Sequence, residues 1–344
     1  MVHRVFTILI ALILLFMLSL VTSPQALGQT LQQESAPVKE SVADEAPTAH
    51  DICDEIHWIV NVRSCQSDGC DKACSCQFHY EWEDCCGNRG LSDVDGFKQW
   101  LKPGVPICLM VHGSFVPEDS VYADCRNTFL WLRGAAPERQ LQMVFLSWPS
   151  GGIFTSRSDQ ALTSPVPGID VAILGRRAER NGILLARLMH LLPDESPVCL
   201  IGHSHGARIV SSALHLLGGG SQRGIRVGAA PQRVRTILAA AAIDHDWYVS
   251  GQRYDHALYA TECVLNLCCR RDWALFYYPL REPFSPPALG RGGFTKRVLN
   301  RLGPEAQRLW ELDVTPTIGR GHIWPEYYEH PELAASLVPW VYFD

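Results

Sequence analysis

The stretch Val198 to Arg208, Val-Cys-Leu-Ile-Gly-His-Ser-His-Gly-Ala-Arg, joins an apolar run to a helical pattern through Gly202-His203-Ser204-His205-Gly206. Val198 to Ile201 follows Pro197 and reads as a short buried strand. Beyond it, Ile209, Val210, Ala213, Leu214 and Leu217 recur at helical spacing over Ala207 to Leu217, and Gly218-Gly219-Gly220 closes the pattern. A strand that turns sharply into a helix leaves no room for side chains two residues either side of the apex, which accounts for glycine at 202 and 206. The apex is Ser204. An elbow of this kind lifts a serine hydroxyl above the sheet and aims the first N–H groups of the helix at the same spot. Ser204 is therefore the candidate nucleophile, and the amide of His205 a candidate donor to an oxyanion.

Apolar runs at Ile56 to Val62, Cys76 to Tyr80, Val105 to Val111 and Met143 to Leu146 precede the elbow, and Val234 to Ile243, Cys263 to Cys269 and Arg308 to Val314 follow it. Helical patterns at Ser120 to Leu132 and Asp170 to Leu192 fall between them. In the second, Val171, Leu174, Ala178, Leu185, Leu188 and Leu192 form a stripe read as core packing. Strands alternating with helices predict an α/β architecture, a mostly parallel central sheet with helices on both faces. The runs at 56–62 and 76–80 are expected to form its opening antiparallel edge. The polar stretch up to Pro167 reads as a long loop near the rim of the site.

With 344 residues and 47% hydrophobic composition the chain can bury a large core, and one domain over 51–344 is the simplest reading. The net charge of −6 and the lack of long basic runs argue against a nucleic-acid partner. Val5 to Val21 is apolar, follows His3 and Arg4, and leads into Ala26-Leu27-Gly28, so 1–28 reads as a secretory signal and the protein as exported. Membrane association is expected only if that segment stays uncleaved. Residues 29–50, rich in Gln, Glu, Ser, Ala and Pro, read as a disordered linker.

Of the 13 cysteines, seven crowd into Cys53 to Cys86. Their uneven gaps fit a zinc template poorly, and export favours disulfides, so the segment reads as a disulfide-pinned opening with Cys125 as candidate partner for the odd thiol. No H-E-x-x-H pattern is present, and neither a catalytic metal nor a cofactor is expected.

The chain resembles the α/β-hydrolase superfamily. Phe145-Leu146-Ser147-Trp148-Pro149-Ser150, the Gly-His-Ser-His-Gly elbow and Asn266 to Leu275 look like a poorly characterised bacterial esterase/lipase-like branch, over roughly Pro106 to Tyr327. That branch more often carries Met where His205 stands. The resemblance implies a second oxyanion donor at the amide of Ser114, after His112-Gly113, and the chain order Ser, acid, His. His322, which follows Gly319 and Gly321 in a loop they free to reach over the elbow, is preferred as the base over His330, which precedes Pro331. Asp272 and Asp244 both end strands, where parallel sheets gather their chemistry. Asp272 is preferred: Arg270 and Arg271 adjoin it and would keep it ionised, whereas Asp244 shares what reads as a solvated turn with His245 and Asp246. The expected activity is hydrolysis of a small-molecule carboxylic ester through an acyl-enzyme, with amides or thioesters open to the same machinery. A non-catalytic exported interaction module on the same fold is the alternative from another class.

Overall fold

The computed structural model describes residues 56–64, 78–84, 86–151, 167–281 and 285–344. Among them nine strands make one sheet: β1 (His57–Asn61), β2 (His79–Glu83), β3 (Arg89–Ser92), β4 (Ile107–Val111), β5 (Gln142–Ser147), β6 (Val198–His203), β7 (Val234–Ala239), β8 (Cys263–Cys268) and β9 (Leu309–Asp313). They are ordered β3-β2-β1-β5-β4-β6-β7-β8-β9. From β1 to β9 neighbouring strands are parallel, and β2 and β3 continue the sheet antiparallel at one edge.

The inner parallel strands are apolar at nearly every position because both faces are covered. In β4, Ile107, Leu109 and Val111 pack on one face with Phe97 of helix α1 (Val94–Trp100), Leu185 of α3 (Pro167–Met189) and Ile209 of α4 (His205–Leu217). Cys108 and Met110 pack on the other with Phe129 of α2 (Glu118–Ala135) and Leu337 of α5 (Pro331–Val341). The two-residue period of the strand thus feeds two separate cores.

Connectivity sets where a site can form. After β4 the chain moves through α2 to β5 on one side, and after β6 it moves through α4 to β7 on the other. Between the carboxyl ends of these adjacent strands the two connections diverge and leave a crevice, the topological switch point at which open α/β sheets bind ligands. Ser204 ends β6, and His112 and Gly113 end β4.

Several expectations need correction. The run at 56–62 is not an edge: β1 lies inside the sheet, parallel to β5, because His57 to Asn61 is buried on both faces, and the antiparallel edge is made by β2 and β3. Cys125 is a free, fully buried thiol on α2, packed in the same core as Cys108 and pushed up in pKa chiefly by burial, so it is not a disulfide partner. The signal segment, the linker, six of the seven cysteines from Cys53 to Cys86 and the stretch 152–166 lie outside the described residues. Among the described residues no helix is long and apolar enough to cross a membrane.

Candidate active site

Ser204 sits at φ 52° and ψ −120°, in the half of backbone space that non-glycine residues avoid. Strain of this kind costs about 1–3 kcal/mol and persists only where the surroundings over-determine it. Here they do. The Ser204 N–H donates to the Ala239 carbonyl at the end of β7 (2.9 Å), and its carbonyl accepts from Ala242 (3.2 Å) and Ala207 (3.1 Å). The flanking glycines allow the turn to seat: a Cβ on Gly206 would lie 2.1 Å from the Val111 carbonyl oxygen, and one on Gly202 would lie 2.6 Å from the Ala207 Cα.

His322 is carried by the loop that follows β9. Its Nε2 lies 3.1 Å from Ser204 Oγ, and its Nδ1 lies 2.8 Å from Asp272 Oδ2. Asp272 lies four residues beyond β8, is fully buried, and caps the single helical turn Trp273–Phe276 by accepting the Leu275 N–H on its other oxygen at 2.8 Å. With that second oxygen committed to the backbone, the carboxylate faces His322 in one orientation. The imidazole then carries its proton on Nδ1 and turns the Nε2 lone pair to the serine. This arrangement can take a proton from the hydroxyl and return it to a leaving group.

Two residues to which the sequence reading gave no role hold the His322 loop. The N–H groups of His322 and Ile323 converge on one oxygen of Glu326, at 2.6 and 3.0 Å. From below, His203 Nε2 donates to the His322 carbonyl at 2.6 Å, its ring tilted against that of His322 with centroids 5.5 Å apart. Burial, with His322 close by, depresses the His203 pKa to about 3, so it serves as a neutral donor. The Glu326 contact had a local sequence signal, an acid four residues after the histidine. The His203 contact spans the chain and had none.

The other sequence candidates lie elsewhere. His330 precedes α5 and pairs with Glu332 at 3.2 Å. Asp244 is 9% exposed and accepts the Tyr278 hydroxyl at 2.8 Å, so its carboxylate is buried and not solvated as expected, while His245 and Asp246 are half-buried. Arg270 turns away from Asp272 to Asp313 (3.1 Å) and Glu311 (3.3 Å) on β9, where two carboxylates outcompete one that is already satisfied.

On the β4 side, Gly113 lies against the elbow: a Cβ there would meet His203 Nδ1 at 2.7 Å and Ser204 Cβ at 3.0 Å. Ser114 Oγ is 2.7 Å from His205 Nδ1, so the two residues expected to supply oxyanion donors are joined through their side chains. The turn carrying Ser114 is fixed from several directions. Trp148 Nε1 donates to the His112 carbonyl (2.8 Å), the Phe115 N–H donates to the Ser150 carbonyl (2.8 Å), and Arg63 reaches both Ser147 Oγ (2.7 Å) and the Val116 carbonyl (3.0 Å). His112, held by burial at a pKa of about 3, is neutral and accepts the Trp148 N–H at 3.2 Å. Arg63 ends β1 and was not singled out in the sequence, since a lone arginine after a strand carries no signal of its own.

The sheet order, the strained serine between β6 and α4, and the order serine, aspartate, histidine decide the architecture. The chain has the α/β-hydrolase fold. The sequence matches no protein-family model, and no curated protein matches it. Among solved structures, the α/β-hydrolase chain is similar to the catalytic core domain of an acetyl xylan esterase from Trichoderma reesei, at 14% identity and a TM-score of 0.32, over 69% of this chain and 97% of that one. It is similar to esterase B from Lactobacillus rhamnosis at 12% identity and a TM-score of 0.39, over 82% and 84%. It is also similar to the poly(3-hydroxybutyrate) depolymerase LpqC from Bordetella parapertussis at 17% identity and a TM-score of 0.34, over 69% and 81%. An α/β-hydrolase fold hosts many activities, so the chemistry has to be argued from the site.

Proposed function

We propose that this protein is a serine hydrolase that cleaves a carboxylic ester through an acyl-enzyme. The observation that carries the reading is the continuous hydrogen-bonded series Ser204, His322, Asp272. Ser204 Oγ attacks the ester carbonyl carbon while His322 Nε2 takes its proton, and Asp272 holds the imidazole in the tautomer that can accept it. The oxyanion is received by the amides of Ser114 and His205. Collapse expels the alcohol, protonated by His322. Water then enters, gives its proton to the same nitrogen, and releases the acid and the free serine. Trp273 and Ile323, which directly follow Asp272 and His322, are exposed apolar side chains, as are Phe276 and Tyr277. They favour an ester with an apolar part over a highly charged one.

The segment Val5 to Gly28 supports export, and with it disulfides within Cys53 to Cys86. Mass spectrometry of the unreduced mature protein checks both through its first residue and its linked peptides. The activity is tested with a fluorophosphonate probe and a panel of nitrophenyl esters of increasing acyl length. Wild type should label stoichiometrically and turn over, and Ser204→Ala should lose labelling and at least about 10⁴-fold in turnover. Labelling that survives in the variant would refute the assignment.

A further inference from the structure

The Gly218-Gly219-Gly220 run does more than end a helix. A Cβ on Gly220 would lie 2.3 Å from His215 Nε2, and one on Gly218 would lie 2.0 Å from the His256 carbonyl oxygen. Both glycines are therefore required for the imidazole of His215, at the end of α4, to sit beneath the segment that ends in Asp255-His256. Three metal-ligating side chains meet there. His215 Nδ1 is 3.5 Å from Asp255 Oδ1, His256 Nδ1 is 2.7 Å from the same oxygen, and one donor atom from each residue lies within 4.8 Å of the others.

From this geometry we propose that His215, Asp255 and His256 form a binding site for a divalent transition-metal ion of the zinc class, remote from the serine. Two imidazoles and one carboxylate form a donor set suited to zinc. Tetrahedral zinc with bonds of about 2.0–2.1 Å places its donors about 3.4 Å apart. The His215 to Asp255 separation already fits, and the His256 side chain, 42% exposed, has to draw back from Asp255 by about 0.7 Å. The outer contacts orient the ligands as metal sites require. His215 Nε2 approaches the Ser221 carbonyl at 3.4 Å, which places the ring proton there and leaves Nδ1 as the lone-pair nitrogen; the long bond that Nδ1 accepts from the His256 backbone N–H, 3.3 Å, gives way to the ion. Asp255 Oδ2 accepts the Gly251 N–H at 3.0 Å, which fixes the carboxylate. Binding releases the proton that His256 Nδ1 shares with Asp255, and solvent completes the coordination on the exposed side.

His215 lies about 16 Å along the helix from Ser204 at 1.5 Å per residue, so the ion takes no part in ester cleavage. It would tie the end of α4 to the 251–256 segment. No short motif reveals the site, because its ligands come from positions 40 residues apart in the chain.

The test uses the full mature chain, stripped of metal and titrated with zinc against a chelating dye, and separately with cobalt(II) followed by visible absorption. Wild type should bind one zinc equivalent that His256→Ala and Asp255→Ala each lose or weaken at least tenfold. Fluorophosphonate labelling should stay unchanged in both variants, and the metal-free melting midpoint should stay unchanged in His256→Ala. Cobalt bound at this site should show ligand-field bands without a thiolate charge-transfer band, which separates it from the cysteines. Equal zinc stoichiometry and affinity in wild type and both variants, or cobalt bound through thiolate alone, would overturn the proposal.

Discussion

Replacing Asp272 with asparagine tests the site most sharply, because the structure determines what the amide must do. The carboxylate accepts twice, from Leu275 N–H on Oδ1 and from His322 Nδ1–H on Oδ2, both at 2.8 Å. Asparagine has one acceptor and one donor end. If its oxygen keeps the Leu275 bond, its NH₂ faces His322 Nδ1, which must become an acceptor, and the ring proton moves to Nε2. That proton then points at Ser204 Oγ, and the serine has no base. The flipped amide restores the tautomer but sets NH₂ against the buried Leu275 N–H, at a cost of about 1–3 kcal/mol for the lost bond and the stranded donor. Even the flipped minority lacks the anion that stabilises the imidazolium, worth about 4 kcal/mol at an effective dielectric near 20. Together these predict a fall in kcat of about 10⁴-fold, read with a nitrophenyl ester on protein whose circular dichroism matches wild type. Asp244→Asn is the control: its amide still offers an acceptor to the Tyr278 hydroxyl, and turnover should stay within about tenfold. If Asp272→Asn keeps activity within tenfold while Asp244→Asn abolishes it, the reasoning fails and the acid is Asp244.

Three further outcomes are expected. His322→Ala should lower turnover about as far as Ser204→Ala does, while His330→Ala, which loses an exposed contact with Glu332, should leave it within about threefold, and the opposite pattern would move the base to His330. Glu326→Ala should lower kcat about 10- to 100-fold with little change in KM, since it frees the two N–H groups that fix the His322 loop but touches no substrate, and a pure KM effect would contradict that role. Stability should fall with acidification: His57, His112 and His203 are held neutral in the fold, at pKa values of about 4, 3 and 3, so the unfolded chain takes up their protons first. Below the unfolded histidine value near 6.5, each costs about 1.4 kcal/mol per pH unit down to its folded pKa. Asp124, raised by burial to about 6, opposes one of the three between its unfolded pKa and pH 6. A melting temperature that rises on acidification from pH 6.5 to 4.5 would show this balance to be wrong.

The inner parallel strands were legible in the sequence because a strand covered on both faces is a continuous apolar run, and β4 to β8 fall within a few residues of the expected positions, as does the half-exposed edge strand β9. Ser204 and Asp272 were legible because each closely follows such a run, and His322 because it closely follows Gly319 and Gly321. What escaped was whatever depends on distant partners. The edge strand β3, Arg-Gly-Leu-Ser, has a single large apolar residue and is defined by pairing with β2. Helix α5 carries Pro331 at its start and Pro339 within it, so its pattern reads as broken, and burial of Leu333, Leu337 and Val341 against the sheet sustains it. Arg270 beside Asp272 looked like a charge partner because neighbours in sequence are visible and the competing acids on β9 are not.

The elbow itself specifies more than a nucleophile. Gly202 and Gly206 permit the close approach of β6, α4 and the end of β4, and Ser204 is held by backbone bonds to β7 and the turn beyond it. The two histidines between them point to opposite arms of the site. His203 reaches under Ser204 to the carbonyl of His322, and His205 reaches across to the hydroxyl of Ser114. One side chain therefore braces the His322 loop and the other braces the turn that carries Ser114, both from positions adjacent to Ser204. A bulky apolar residue at 205 would supply the same backbone N–H but leave the Ser114 hydroxyl without this partner. On the proposed mechanism His205 would set the spacing between the two oxyanion amides, and the pentapeptide Gly-His-Ser-His-Gly reaches both the His322 loop and the Ser114 turn.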